Sequence, residues 1–486
     1  MLLSITVLTP LLGALVQLVM PADTTLQVQR IKVLGLVVSL ITFGLTILVW
    51  ASYDIGVSGY QLTSYSTVGF AAIHLGVDGL SVYYLVLTGL LTPICLLASW
   101  SNVTHGVRLY NALQLITCGL LLAVFVQLDM LLFYVSFEAV LIPLFFVVGR
   151  WGGSPSRVRS AMLLFLYTLG GSLFMLLAIV GLYGHTGTLD MTILHNISID
   201  PIVQRLLWLS FGIALAIKTP VVPVHVWLPR AHADAPLAGS MVLAGTVLKL
   251  ATYGVLRIMV PILPDASFYY GPLVQTVAVV SIIYSSLATL RQSDFKALVA
   301  YSSVAHMGVV LVGLFSNTVL GITGGIFLSL AHGLVSPALF MLVGGVLYDR
   351  FHSRSISYYR GLASLMPLFS IVFFIMTCAN MGTPMTMNWV GEFMALAGTY
   401  QSSVVAGILA STGIVLSACY SIWLWGRLNA GSYSPYLSST VDLTRREWAV
   451  LLPLLVLTIV LGVVPGVLLD SIGSSVSALI YEVLVP

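Results

Sequence analysis

Charge is what this sequence has least of. Asp, Glu, Lys and Arg make up 7% of its 486 residues, against 59% apolar residues, whereas soluble domains carry about 25% charged residues. The shortage excludes a soluble fold, because so few polar side chains cannot build a water-facing surface around so much apolar chain; lipid must be the solvent. Cysteine is scarce as well. Cys95, Cys118, Cys378 and Cys419 each stand alone in an apolar stretch, with no Cys-x-x-Cys spacing. That excludes a cluster-binding set and leaves them as small buried apolar residues. No Gly-rich dinucleotide fingerprint follows a strand. No segment is long enough for a soluble domain, and the longest connections, 53–79 and 427–448, read as polar loops. The first twenty residues, MLLSITVLTPLLGALVQLVM, lack a basic leader and a small-residue cleavage site, so they read as a retained span.

What is present is a succession of apolar runs. A membrane helix needs about 20 mostly apolar residues, and fourteen candidates follow one another from 1–20 to 449–469. The seventh covers 206–226, the eleventh 319–347 and the twelfth 366–400. The last two are too long for one straight crossing and carry Gly or Pro near the middle, so discontinuous helices are expected there. The basic residues support the count. Of the 19 Lys and Arg, all but Arg205, Arg257, Lys218 and Lys249 fall on connections sharing one side. By the positive-inside rule that side is the inner one, which puts both termini outside. Asp78, and either Ser293 or Asp294, each just before a span, are expected to cap it. The expected fold is an all-α polytopic membrane protein.

Six ionisable residues fall inside spans: Glu138, Lys218, Lys249, His306, His332 and Glu392. A charge at the bilayer centre costs about 3 kcal/mol on insertion scales, so such residues are functional candidates. At the helical rise, Glu138, Lys218, Lys249 and His306 each lie about 12–20 Å from a charged rim residue. His332 and Glu392 sit mid-way along the two long spans. All six therefore fall near one depth, as a path within the membrane plane would require. Burial disfavours the charged form of a lysine and of a carboxylic acid, and pairing restores it, so a buried pair can trade protons near neutral pH. Histidine accepts and donates with little perturbation. Pro220 and Pro223 interrupt the seventh span just beyond Lys218, and freed backbone groups are tolerated only beside protein or a wet cavity. Beyond that break, His225, His232 and Asp234 are expected at the inner mouth.

Other readings stay open at this point. A Glu–Lys pair also locks two helices together, a core histidine also arises by packing, and Asp234 also serves as a solvated or capping residue. The interrupted seventh and twelfth spans are five apart, an odd offset that reverses direction through the membrane. That predicts two inverted five-helix repeats, about 110–257 (spans 4–8) and about 271–426 (spans 9–13), with ion sites on the broken helices.

Five strings carry a family resemblance: KTPVVPVHVWLPRAHADAP, LLFYVSFEAVLIPLF, TLRQSDFKALVAYSSVAHMG, LAHGLVSPALF and WVGEF. They resemble the antiporter-like membrane subunits of respiratory complex I, over nearly the whole chain, with glutamate rather than lysine at 392 as in the subunit 4 type. The resemblance implies a proton-translocating subunit without redox centres, coupled to quinone reduction elsewhere in the complex. Glu138 and Lys218 match the family's coupling pair, Lys249, His306 and His332 its central relay, and Glu392 its exit or hand-over residue. It further implies that NADH, FMN, iron–sulfur clusters and ubiquinone are bound by other subunits. The expected partners are other membrane-arm subunits, especially neighbouring antiporter-like ones, and lipid; the expected location is the mitochondrial inner membrane, with a bacterial plasma membrane or a plastid as the alternative. Two departures stand out: Asp234 replaces the usual glutamate, and TPMTMNWVGEF lacks the usual Pro-Gly approach to the acid. A free-standing Na⁺/H⁺ antiporter and a purely structural scaffold are the alternatives.

Overall fold

In the computed structural model, residues 1–57, 59–68, 71–437 and 441–484 are described; parts of the two long connections lie outside them. Among the described residues, thirteen helices are long and apolar enough to cross a membrane, one fewer than the sequence predicts. The difference is the segment 366–400, which is split by a turn into two shorter helices.

Helices α1 (Leu2–Val19) and α2 (Thr25–Ala51) form one flank. Their outward side chains, including Leu12, Leu15 and Leu40, are exposed, as a lipid-facing surface requires. A capping box at Thr24 and Gln27 starts α2. Next come two strands where the sequence suggests a loop: β1 (Gln61–Val68) pairs antiparallel with β2 (Ala71–Val77), Tyr65 opposite His74. The run QLTSYSTV is rich in β-branched and aromatic residues, which suits a pleated, half-buried ribbon. The ribbon is anchored where Leu128 N–H donates to the His74 carbonyl.

α3 (Ser81–Ala98), α4 (Val107–Val126), α5 (Met130–Trp151) and α6 (Arg157–Thr186) then cross in turn. Asp78 and Asp129 cap α3 and α5 through Ser81 N–H and Leu132 N–H, both at 2.9 Å. α7 (Pro201–Lys218) is capped by Asp200 and ends at Lys218; after an irregular turn the chain resumes as α8 (Trp227–Asp234). α9 (Leu237–Ile262), α10 (Pro264–Leu290), α11 (Phe295–Leu314) and α12 (Val319–Phe351) follow. α9 and α12 are wholly enclosed by the others and α3 and α11 nearly so, so they form the inner layer. The expected break in α12 near His332 is absent. The helix runs through Pro337 and relaxes into a π-helical stretch, Met341–Leu347, since wide turns let a membrane helix absorb a proline without breaking.

α13 (Pro367–Asn380) and α14 (Met387–Ser402) are the two halves of the broken span. α15 (Val404–Asn429), α16 (Arg445–Val463) and α17 (Gly466–Leu484) complete the chain. α17 departs from expectation, because 449–469 reads as one span; Pro465 ends that span early and starts a helix dotted with serines. It rests against α3, where Ser471 Oγ donates to Tyr83 Oη at 2.7 Å. One end of the helix bundle thus collects the hairpin, the α4–α5 corner and α17. The opposite end carries most of the basic connections.

Candidate functional site

Lys249 lies in a short α-helical stretch of α9 between two π-helical turns, Leu243–Val247 and Val255–Met259. π turns are rare and concentrate at functional sites. Lys249 Nζ donates at 2.5 Å to the Ala244 carbonyl, which belongs to the wide first turn. The same nitrogen lies 2.8 Å from His332 Nδ1 on α12. Close backbone approach sets this contact. A Cβ at Gly245 would fall 2.4 Å from Leu91 Cδ1, and one at Gly333 would fall 2.9 Å from the Gly245 carbonyl. Only glycine lets α9 and α12 cross so tightly.

From His332 the row continues. Its ring centroid is 5.8 Å from that of His306 on α11, and His306 Nδ1 lies 3.1 Å from Glu392 Oε1 on α14. None of the four is more than 5% exposed, so the row is closed to bulk solvent along its length. Each histidine spends Nδ1 on a charged neighbour, and each Nε2 has no protein partner among the described residues. The four residues are distant in sequence, and four different helices bring them into one line.

Glu392 sits where the broken span turns. A Cβ on Gly382 (φ +70°) would meet Glu392 Oε2 at 2.3 Å, so the carboxyl is tucked against the turn's backbone. The departure from the Pro-Gly pattern is accommodated at a cost, because Met385, the residue after Pro384, takes the left-handed φ of +72° itself. On its other side Glu392 lines a cavity of about 390 Å³ between α14 and α15, with Trp389, Tyr400 and Gly407 in its wall.

At the other end, Lys218 is the last residue of α7. Pro220 and Pro223 occupy the turn before α8, and the turn's backbone is partnered: Val222 N–H donates to Ser281 Oγ and Trp227 Nε1 to the Ile217 carbonyl, both at 2.9 Å. Lys218 makes no direct hydrogen bond to Glu138, although the two lie within electrostatic reach of each other. Its ammonium lies 4.5 Å from the ring centroid of Phe137, and neither Nζ nor Glu138 Oε1 has a hydrogen-bond partner among the described residues. The Phe137 ring stands beside the ammonium, and the Glu138 carboxyl acts on it through space rather than through a hydrogen bond.

The expected mouth residues take different positions. His225 lies in a short turn edge-on to Tyr284 and Tyr301. His232 is not at a mouth: it is fully buried, stacked on Phe340 at 4.8 Å, with both ring nitrogens unpartnered. Asp234 accepts from Ser156 Oγ at 2.7 Å and Ser160 Oγ at 2.6 Å, with Arg354 at 3.7 Å. It ties α8 to α6.

One cluster escapes the sequence reading. Arg257, which reads as a loop residue, is buried in the second π turn and holds Asp78 through two bonds of 3.0 and 2.9 Å, while its Nε donates to Tyr253 Oη. Burial alone would raise the Asp78 carboxyl; the Arg257 guanidinium and Ser81 hold it below its ordinary value. His195 lies alongside, and burial, then Arg257, lowers its pKa to about 4. The available signal is spacing: Arg257 follows Lys249 by eight residues, about two helical turns.

A helix bundle with two broken helices and a buried row of lysine, histidines and glutamate defines a class of membrane-embedded, antiporter-like ion carriers. Residues 128–417 match the transmembrane family of NADH:quinone oxidoreductases and Mrp antiporters. The chain is 55% identical to NADH-ubiquinone oxidoreductase chain 4 of Mycosarcoma maydis, over 99% of each chain. It is 44% identical to that of Arabidopsis thaliana, over 98% of this chain and 96% of the other. A chain of respiratory complex I from Thermus thermophilus superposes with a TM-score of 0.88 at 30% identity, covering 99% of this chain and all of the other. A chain of the Mrp complex from Dietzia shares the fold, with a TM-score of 0.86 at 23% identity and 99% of each chain covered. The chain belongs to the NADH-ubiquinone oxidoreductase chain 4 family.

Proposed function

We propose that the chain is a proton-translocating membrane-arm subunit of an NADH:ubiquinone oxidoreductase, and that protons or the charge they carry pass along Lys218, Lys249, His332, His306 and Glu392. The row from Lys249 through both histidines to Glu392, two close contacts and one ring-to-ring approach of 5.8 Å, carries this reading. A charged Lys249 gives its proton to His332, and His306 delivers one to Glu392. Each step moves a proton between groups already near hydrogen-bonding distance, or across a gap that bridging water can span. Glu138 sets the charge near Lys218 from one side of Phe137. Glu392, beside its lateral cavity, is the hand-over point to a neighbouring antiporter-like subunit.

NADH, FMN, iron–sulfur clusters and ubiquinone belong to other subunits on this reading. The membrane is the mitochondrial inner membrane, with the basic connections inside and the hairpin end, with both termini, outside. Spans 4–8 and 9–13 form inverted repeats. The opposite placement of the two breaks supports this: α7 reaches its break from the hairpin end and α13 reaches its own from the basic end.

The test is Lys249→Met in the native complex, with assembly, NADH:quinone turnover and proton uptake measured together. Assembled complex that has lost at least about 100-fold of both rates fits a proton-transfer role. Assembled complex with normal rates refutes it.

A further inference from the structure

The row from Lys249 to Glu392 lies inside the bundle, whereas α7 also carries a feature on the lipid side. Between α7 and α10 runs an apolar groove of about 200 Å³, with Met259 of α9 and Phe315, just beyond α11, in its floor. Its rims, Leu209, Ile213 and Leu273, are exposed. Gly212 gives it depth, because a Cβ there would fall 3.3 Å from the Trp208 ring. The polar groups along the wall are spent: Thr219 Oγ1 donates to the Leu215 carbonyl at 2.6 Å and Trp208 Nε1 to Ser267 Oγ at 3.1 Å. Such a wall offers water no partner, and left empty it would forfeit the dispersion contacts of its lining. In a membrane the filler of this shape is an acyl chain.

The dimensions agree. From Trp208 to Lys218 the helix rises about 15 Å, half of the roughly 30 Å hydrocarbon core and so the depth of one leaflet. At the hairpin end the groove meets an aromatic rim. Trp208 stacks on Tyr270 at 4.6 Å, and Arg205 Cζ lies 4.1 Å from the Tyr269 ring centroid. Tryptophan and tyrosine settle at headgroup level. Arg205 is exposed and makes no ion pair among the described residues. The nearby carboxylates are engaged: Asp200 caps α7 through Ile202 N–H at 2.8 Å, and Asp265 accepts from Gln204 Nε2 at 3.0 Å. Arg257, the other arginine at this end, is buried against Asp78. Arg205 is thus the one exposed cation of the hairpin end among the described lysines and arginines, and it stands at the mouth of the groove.

We propose that Arg205 and this groove form a binding site for an anionic phospholipid. The phosphate pairs with the Arg205 guanidinium, and one acyl chain lies between α7 and α10. The end of that chain packs against Thr219 and Val221, in the turn that follows Lys218, so the bound lipid fills the lipid side of the broken span.

The test photolabels the native complex in its membrane with phosphatidylglycerol carrying a diazirine at the end of one acyl chain. Phosphatidylcholine with the same chain is used in parallel, and labelled residues are read by peptide mass spectrometry. The expected result is labelling at Thr219, Val221 or Val277 that is about fivefold stronger from phosphatidylglycerol, as one arginine facing an anionic headgroup provides. Arg205→Gln should remove that difference, Arg205→Lys should keep most of it, and Gly212→Leu should block labelling by both lipids. Equal labelling by the two lipids in the unaltered complex overturns the site, because it leaves only bulk lipid against an apolar wall. No labelling here from either lipid, in complex labelled on α1 and α2, means that a neighbouring subunit fills the groove, and overturns it as well. The comparison of the two lipids needs no substitution, so it decides even where a variant fails to assemble.

Discussion

Met385 sits in the left-handed backbone region at φ +72°, a conformation that costs a side-chain-bearing residue about 1–2 kcal/mol. Glycine adopts it freely. Met385→Gly is therefore expected to stabilise the protein by about 1 kcal/mol, read as a raised thermal midpoint of the isolated complex, with turnover retained. An unchanged or lowered midpoint would show that the exposed methionine side chain offsets the strain. The opposite sign holds at Arg257. Removing it strands the Asp78 carboxylate in the interior, and breaking a buried pair from one side costs about 3–5 kcal/mol. Arg257→Leu should sharply reduce assembled complex on native gels, and Asp78→Leu on that background should restore part of it. At this scale the sequence shows which residues are out of place in lipid but not what each touches. Lys218 and Glu138 are legible as coupled anomalies, but the Phe137 ring against the ammonium is not, because it depends on how two helices are rotated against each other.

The central elements are helices with irregular turns, and their geometry places the row. Gly245 and Gly333 hold α9 against α12, so a larger side chain at either position separates Lys249 from His332. Gly333→Leu should leave spans inserted but slow proton uptake and quinone reduction together. Equal rates in assembled complex would mean the relay tolerates a wider gap. The turn after Asp190 responds to pH. The half-buried His195 has a pKa of about 4 against the ordinary 6.5. Its contribution to docking is therefore complete above pH 6.5, and it falls by up to about 1.4 kcal/mol per unit as pH drops from 6.5 towards 4. Backbone hydrogen exchange over residues 191–199, corrected for intrinsic rates, should rise between pH 7.5 and 5, and His195→Gln should flatten that rise. The breaks in the seventh and twelfth spans can be read from Pro and Gly. The π turns cannot, because nothing in local composition separates a wide turn from a regular one in an enclosed helix. The hairpin is hidden for a related reason: QLTSYSTV is too polar to register as a span, and polarity reads as a loop.

Across the whole molecule, the basic residues and the apolar runs make the crossing pattern readable from the amino-acid order alone. The surplus helix α17 is hidden because its apolar face continues the hydropathy of α16. The inward histidines and lysines are legible as a band at one depth, but the order in which they touch depends on helix packing that no single stretch encodes. His232 is the clearest case, lying between Arg230 and Asp234 in sequence and deep inside the fold.

The two histidines of the row each commit Nδ1 to a charged residue, Lys249 for one and Glu392 for the other. An imidazole that takes a proton on one nitrogen and releases one from the other is left in the opposite tautomer, unable to repeat the act in the same direction. Resetting it requires the ring to turn or a proton to return, and turning breaks the contact with the charged neighbour. On the relay proposed above, a row built this way would behave as a turnstile rather than a wire. It admits one charge, locks, and must be reset before the next can follow.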